Sequence, residues 1–101
     1  MEFQRVFDAG RRAHGRYLTI IAAPAPGPDS RLGIVASKKL GGAVVRNRAK
    51  RLIREMFRTR TSIQRASDLV VIPKASALQV DVNEVVGDYQ TILRRLSLSK
   101  Q

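Results

Sequence analysis

Between Lys38 and Arg60 the chain carries nine basic side chains, Lys38, Lys39, Arg46, Arg48, Lys50, Arg51, Arg54, Arg58 and Arg60, against one acid, Glu55. Cations at this density do one kind of chemistry well: they hold phosphate oxygens, arginine through a planar fork that meets two oxygens at once. Arg46, Lys50, Arg54 and Arg58 stand four residues apart. On a helix that spacing is a rise of about 6 Å per step, close to the interval between successive phosphates of a nucleic-acid strand. Asn47 adds an amide donor and acceptor to the strip, which a purely electrostatic surface does not require. A charged helix face is ordinarily just solvated. Here the cations crowd about four turns with almost no acid to relieve their repulsion, which points to an anionic partner. Lys38-Lys39-Leu40-Gly41-Gly42 leads into this stretch, and free N–H groups at a helix start favour phosphate too. The spacing is not that of a phosphate-binding P-loop.

Other chemistries find little support. The acids are scattered, His14 stands alone beside Arg11 and Arg12, and there is no cysteine. Those facts leave no nucleophile–base pair, zinc pattern or disulfide framework, so neither protein-borne catalytic residues nor a protein-bound cofactor is expected. A net charge of +11 on 101 residues exceeds what solubility needs. Residues 1 to 37 hold five basic and three acidic side chains, and residues 61 to 101 hold five and four, so the excess belongs to the middle segment. Nucleic acid is the leading partner and an anionic membrane surface the runner-up. The apolar stretch around Leu18 to Ala25 is too short to span a bilayer and is interrupted by Pro24. The basic segment also lacks the aromatic anchors of an interfacial helix. The N-terminus does not read as a signal peptide, and a cytoplasmic protein is the expectation. A DNA-binding regulator is disfavoured, because no helix-turn-helix or dimerising heptad accompanies the cations; a structural RNA binder remains a rival reading.

These residues need elements to hold them. Phe3, Val6 and Phe7 recur at helical spacing before Gly10, which predicts a first helix over Glu2 to Ala9. Tyr17 to Ile21 and Leu32 to Ala36 are β-branched runs separated by Pro-Gly turn chemistry, and an antiparallel hairpin is the expected pairing. Arg11 to His14 could add a further strand. Ala43 to Arg60 has no breaker and predicts the dominant helix, with Val45, Ala49, Leu52, Ile53 and Met56 on its packing side and Arg46, Asn47, Lys50, Arg51, Arg54 and Arg58 in an arc of about 140° beside it. Glu55 is expected to brace Arg51. Leu69 to Ile72 is apolar throughout, as in a central strand. Val82, Val85, Val86, Tyr89, Ile92, Leu93 and Leu96 follow three-four spacing, which predicts a last amphipathic helix from about Asp81, a good N-cap, to Ser97. The order predicts one domain over residues 1 to 101: an α/β (α+β) two-layer sandwich with a small mixed sheet of three to four strands.

The run Ser37-Lys38-Lys39-Leu40-Gly41-Gly42-Ala43-Val44-Val45-Arg46-Asn47-Arg48-Ala49-Lys50-Arg51-Leu52-Ile53-Arg54-Glu55 closely resembles the signature of the protein subunit of bacterial ribonuclease P. Phe3-Gln4-Arg5-Val6-Phe7 and Gly10-Arg11-Arg12 look like that family's first helix and the turn after it. The resemblance implies a ribosomal protein S5 domain 2-like fold, with the basic helix in a left-handed β-α-β crossover. It implies an auxiliary component of a ribonucleoprotein endonuclease that removes the 5′ leader from precursor tRNA, with catalysis and Mg2+ supplied through the RNA subunit; the protein is expected to be monomeric alone, with one or more copies per ribonucleoprotein. Carried over, Lys38, Lys39, Arg46, Asn47, Arg48, Lys50, Arg51 and Arg54 would face the catalytic RNA. Phe3, Phe7, Arg11, Arg12, Tyr17, Thr19 and Ile21 would line a cleft for the single-stranded leader, where stacking on aromatic side chains is indifferent to sequence.

Overall fold

In the computed structural model, which describes residues 1–99, the sheet is built around two strands that are almost wholly apolar. These are β2 (Leu18–Pro24) and β4 (Ser67–Pro73), buried along nearly their whole length and paired antiparallel with Ile21 opposite Val70. β1 (Arg11–His14) pairs antiparallel with β2, and β3 (Arg31–Ile34) pairs parallel with β4, giving the order β1-β2-β4-β3. The further strand at Arg11 to His14 is therefore present. The expected hairpin is not: β2 and β3 do not touch as neighbours, because β4 lies between them. The physical reason is the apolar character of β4. A run apolar on both faces needs neighbours on both edges as well as cover above and below. The proline-rich connection after β2 has only to step across two strand spacings, about 10 Å, which a handful of residues spans easily.

Alternation along the strands makes two cores. Leu18, Ile20, Ala22, Leu69 and Val71 pack under α2 (Ala43–Arg60) and α3 (Val82–Arg95), while Ile21, Ala23 and Val70 pack with Val6 of α1 (Phe3–Ala9) on the other face. α2 buries Ala49, Ile53 and Met56, three of the five side chains on its expected packing side, and leaves Val45 and Leu52 half-buried. Its start is fixed by Gly41, whose φ of +149° is open to glycine and costly to any residue with a Cβ. α3 is capped by the Asp81 carboxylate, which accepts the Asn83 backbone N–H at 2.8 Å.

Two buried or half-buried acids tie the layers together. The Asp88 carboxylate on α3 accepts the backbone N–H groups of Arg16, Tyr17 and Leu18 at 2.9, 2.8 and 3.1 Å, pinning the β1–β2 turn to the helix. Asp68 on β4 has no solvent exposure and accepts both Nε and Nη2 of Arg31, at 2.8 and 2.7 Å, together with Nη2 of Arg5. The Arg31 guanidinium, hydrogen-bonded to it, holds the Asp68 carboxyl below the usual carboxylate range despite burial, which acts the other way.

Candidate nucleic-acid interface

α2 exposes its cations because its apolar residues fall on one side and the sheet takes that side. Asn47, Lys50, Arg51 and Arg54 line one concavity of about 410 Å3 with Glu55 and Arg58. Lys38 and Lys39 are exposed on the single 3-10 turn that precedes the helix. Arg46 is half-buried, and its Nε is a buried donor with no acceptor among the described residues. Arg48, two positions from Arg46, leaves the helix about 200° away and is exposed on its other flank. The arc and Arg48 thus belong to two sides of one helix rather than to a single patch. Glu55 braces Arg58 (2.5 and 3.3 Å), not Arg51 as expected. The i, i+3 step brings the Arg58 fork round to the carboxylate and leaves Arg51 facing the groove.

The second set of candidate residues divides between the two faces of the sheet. Ile21, Thr19 and Arg12 lie on the α1 side, since Arg12 is the direct partner of Ile21, and His14 of Thr19. Arg11 is opposite Ala22, so it points the other way and donates from Nη2 to the Leu96 carbonyl. Tyr17 also leaves the set. The strand begins at Leu18, and Tyr17 turns in the preceding bend to pack with the α3 core, its hydroxyl 3.4 Å from Glu84 Oε1. Period-two alternation placed Tyr17 with Thr19, but it holds only inside a strand. Ile21 is 1% exposed and Thr19 7%, so α1 covers much of what the sequence offers as a surface.

Phe3 and Phe7 meet edge to face, with ring centroids 6.3 Å apart. Phe3 is half-buried over Gly33, where an added Cβ would come within 2.5 Å of its ring. Phe7 is 37% exposed. Arg5, two residues before Phe7 and hence on the opposite flank of α1, is committed to Asp68 and the Pro24 carbonyl. The aromatic flank therefore overlooks the other end of the sheet. There Thr19, Ile72 and Val35 lie with the exposed Arg12 and His14, whose Nδ1 is 3.0 Å from Thr19 Oγ1. Ile72 and Val35 are not offered for this surface by the sequence, which marks His14 only as a lone histidine; the signal available is their position in apolar or alternating runs, legible only once the strand register is known.

A family model described as Ribonuclease P matches residues 1–97. Among curated relatives, the ribonuclease P protein component of Desulfovibrio desulfuricans is 35% identical, covering 96% of this chain and 78% of that protein. That of Dehalococcoides mccartyi is 42% identical over 83% of this chain and 69% of that one. The solved ribonuclease P proteins of Staphylococcus aureus and Thermotoga maritima are each 32% identical. They superpose with TM-scores of 0.83, covering 96% and 93% of this chain and 90% of each of theirs. Superposition at that level requires the same connectivity and the same hand of the β3-α2-β4 crossover. On sequence and structure together, the chain belongs to the family of bacterial ribonuclease P protein components.

Proposed function

We propose that the protein binds the catalytic RNA of ribonuclease P through the α2 strip and the 5′ leader of precursor tRNA along the aromatic flank of α1. The observation that carries the reading is the α2 surface. It is an exposed run of cations with one acid, already claimed by Arg58, and a half-buried arginine whose Nε finds no acceptor among the described residues. An RNA backbone supplies what that surface lacks, since phosphate oxygens neutralise the strip and release counterions. On the other face, Phe7 and Phe3 offer ring surface to unpaired bases, and Arg12 lies within the same shelf as a phosphate partner.

The reaction is hydrolytic, and in this reading the RNA subunit performs it with magnesium held by RNA phosphates. The protein's own donors do not fit a resident metal. Among the described residues no three His, Asp or Glu side chains gather, Asp68 is clamped by two arginines and Asp88 is occupied by three N–H groups. What this chain contributes is charge neutralisation and placement of the leader. None of its helices is long and apolar enough to cross a membrane among the described residues, and we place its work in the cytoplasm as a monomer joining the ribonucleoprotein.

Cleavage of a precursor tRNA by a bacterial ribonuclease P RNA at low magnesium, with and without the protein, tests this. Stimulation by the wild type that is lost in Lys50→Gln, Arg51→Gln, Arg54→Gln, with an unchanged melt, is the expected result. Equal stimulation by the triple variant would remove the α2 strip from the RNA interface.

A further inference from the structure

Arg11 and Arg12 are neighbours on an edge strand and point to opposite faces of the sheet. Arg12 looks onto the α1 shelf; Arg11 stands at a hollow of about 390 Å3 on the other face, where β2 ends and β4 begins. The floor of that hollow is Ala22, Pro24, Ala66 and Leu98, and the exposed Arg11 and Arg65 flank it. Among the described residues no acid lines it, because Asp68, the nearest carboxylate in sequence, leaves β4 on the opposite face and is engaged by Arg5 and Arg31. The Arg11 guanidinium is oriented by its bond to the Leu96 carbonyl, which uses one donor group, and it has no carboxylate partner among the described residues. The Arg65 guanidinium has no partner among the described residues.

A hollow of this volume is within the range that takes small ligands, and its chemistry is two-part. An apolar floor accepts a flat ring; two guanidinium planes can stack on that ring or fork onto a phosphate. A purely apolar ligand would leave both cations desolvated without a counter-charge, and an inorganic anion would leave the apolar floor unused. Ring and phosphate together are a nucleotide. We propose that this hollow holds one unpaired nucleotide of the leader, distal to the stretch on the α1 shelf, the strand passing over the β1 edge from Arg12 to Arg11. The inference rests on the leader reading given above, and adds to it a second, separate nucleotide site. The edge permits the crossing: among the described residues the outer side of β1 pairs with no other strand, and the two arginines are neighbours in sequence.

The test is titration of the full chain with oligouridylates of about 4 and about 12 nucleotides, bracketing common single-strand site sizes, while backbone amide resonances are followed. The expected result is movement of Phe7 and Thr19 with both lengths, and of Arg65, Ala66 and Leu98 with the longer one alone. Ala66→Phe, which fills the floor without changing charge, should silence the second group and leave the first. It should also weaken the long oligonucleotide about tenfold, the loss typical of one stacked base, and the short one not at all. Should Ala66→Phe fail to fold, Arg65→Gln at an exposed position serves the same purpose. Movement confined to Phe7 and Thr19 at both lengths would overturn the nucleotide site and leave the leader reading standing. No movement at Phe7 and Thr19 would overturn both. Unchanged long-oligonucleotide affinity in a folded Ala66→Phe protein would also refute the site.

Discussion

Asp68 is the side chain on which single-residue effects should be largest. It is fully buried, and both of its arginine partners come from other elements, Arg5 from α1 and Arg31 from β3. Its removal would release two partly exposed guanidinium groups to solvent rather than strand them, so the cost should sit near the lower end for a broken buried pair, about 3 kcal/mol. For a domain of this size that lowers Tm by about 15 °C at neutral pH. The sign of the pH dependence follows from the direction of the shift. Asp68 binds its proton more weakly when folded than when unfolded, so its contribution is complete above about pH 4 and is lost as pH falls through the depressed folded value. Melts of wild type and Asp68→Ala should converge on acidification; a gap constant from pH 7 to pH 3 would contradict the ion-pair account. Phe3 and Phe7 should also part company. Phe7→Ala is expected to weaken leader binding with little change in Tm, whereas Phe3→Ala, emptying the space over Gly33, should cost about 3 kcal/mol of stability. Paired melts and leader titrations would check both.

At the scale of elements, α2 and α3 are held by different means. α3 has a side-chain cap and an apolar face of Val85, Tyr89, Ile92 and Leu93, with the Tyr89 hydroxyl 2.6 Å from Thr61 Oγ1. Asp81→Ala should therefore cost about 1 kcal/mol, read as a Tm decrease of a few degrees. Asp88→Ala should cost more, about 2 to 3 kcal/mol, because it leaves three backbone N–H groups of the β1–β2 turn without their acceptor. α2, by contrast, begins at Gly42 with no side-chain cap and carries its own repulsion. Neutralising Lys50, Arg51 and Arg54 should leave the melt unchanged or raise it slightly, while RNA binding falls. A surface that gains stability and loses affinity on the same substitution is one kept for its partner.

The whole molecule presents charge and ring surface on different layers. α2 shares a layer with α3, and α1 packs on the other side of the sheet, so the cation strip and the aromatic flank do not compete for space. Binding to the large RNA should be strongly salt-dependent, with the log–log slope falling in magnitude by about 2 to 3 in the Lys50, Arg51, Arg54 triple variant, close to one unit per lost phosphate contact. Affinity measured across a salt series supplies the check. An unchanged slope would mean that those cations face solvent in the complex.

Local signals in the sequence determined the helices and where along the chain the charge lies. Ala43 to Arg60 was legible to the residue, because helix formers, the Gly41-Gly42 start and the apolar spacing are all short-range properties. The start of α3 after Asp81 was legible too, although the spacing carries its expected end to Ser97, two residues past Arg95; the clustering of cations on α2 needs only composition and a 3.6-residue period. Tertiary structure decided the strand order, and with it the company each candidate keeps. Whether β2 pairs with β3 or admits β4 between them depends on which arrangement buries β4 on both faces, a competition among distant segments that no window of residues contains. That choice put Thr19 beside Ile72. The bend before Leu18 sent Tyr17 to the α3 core, and the register of β1 set Arg11 and Arg12 on opposite faces. A shift of one position in a strand exchanges its faces, so residues read from alternation alone are on the intended face only where the strand ends are known.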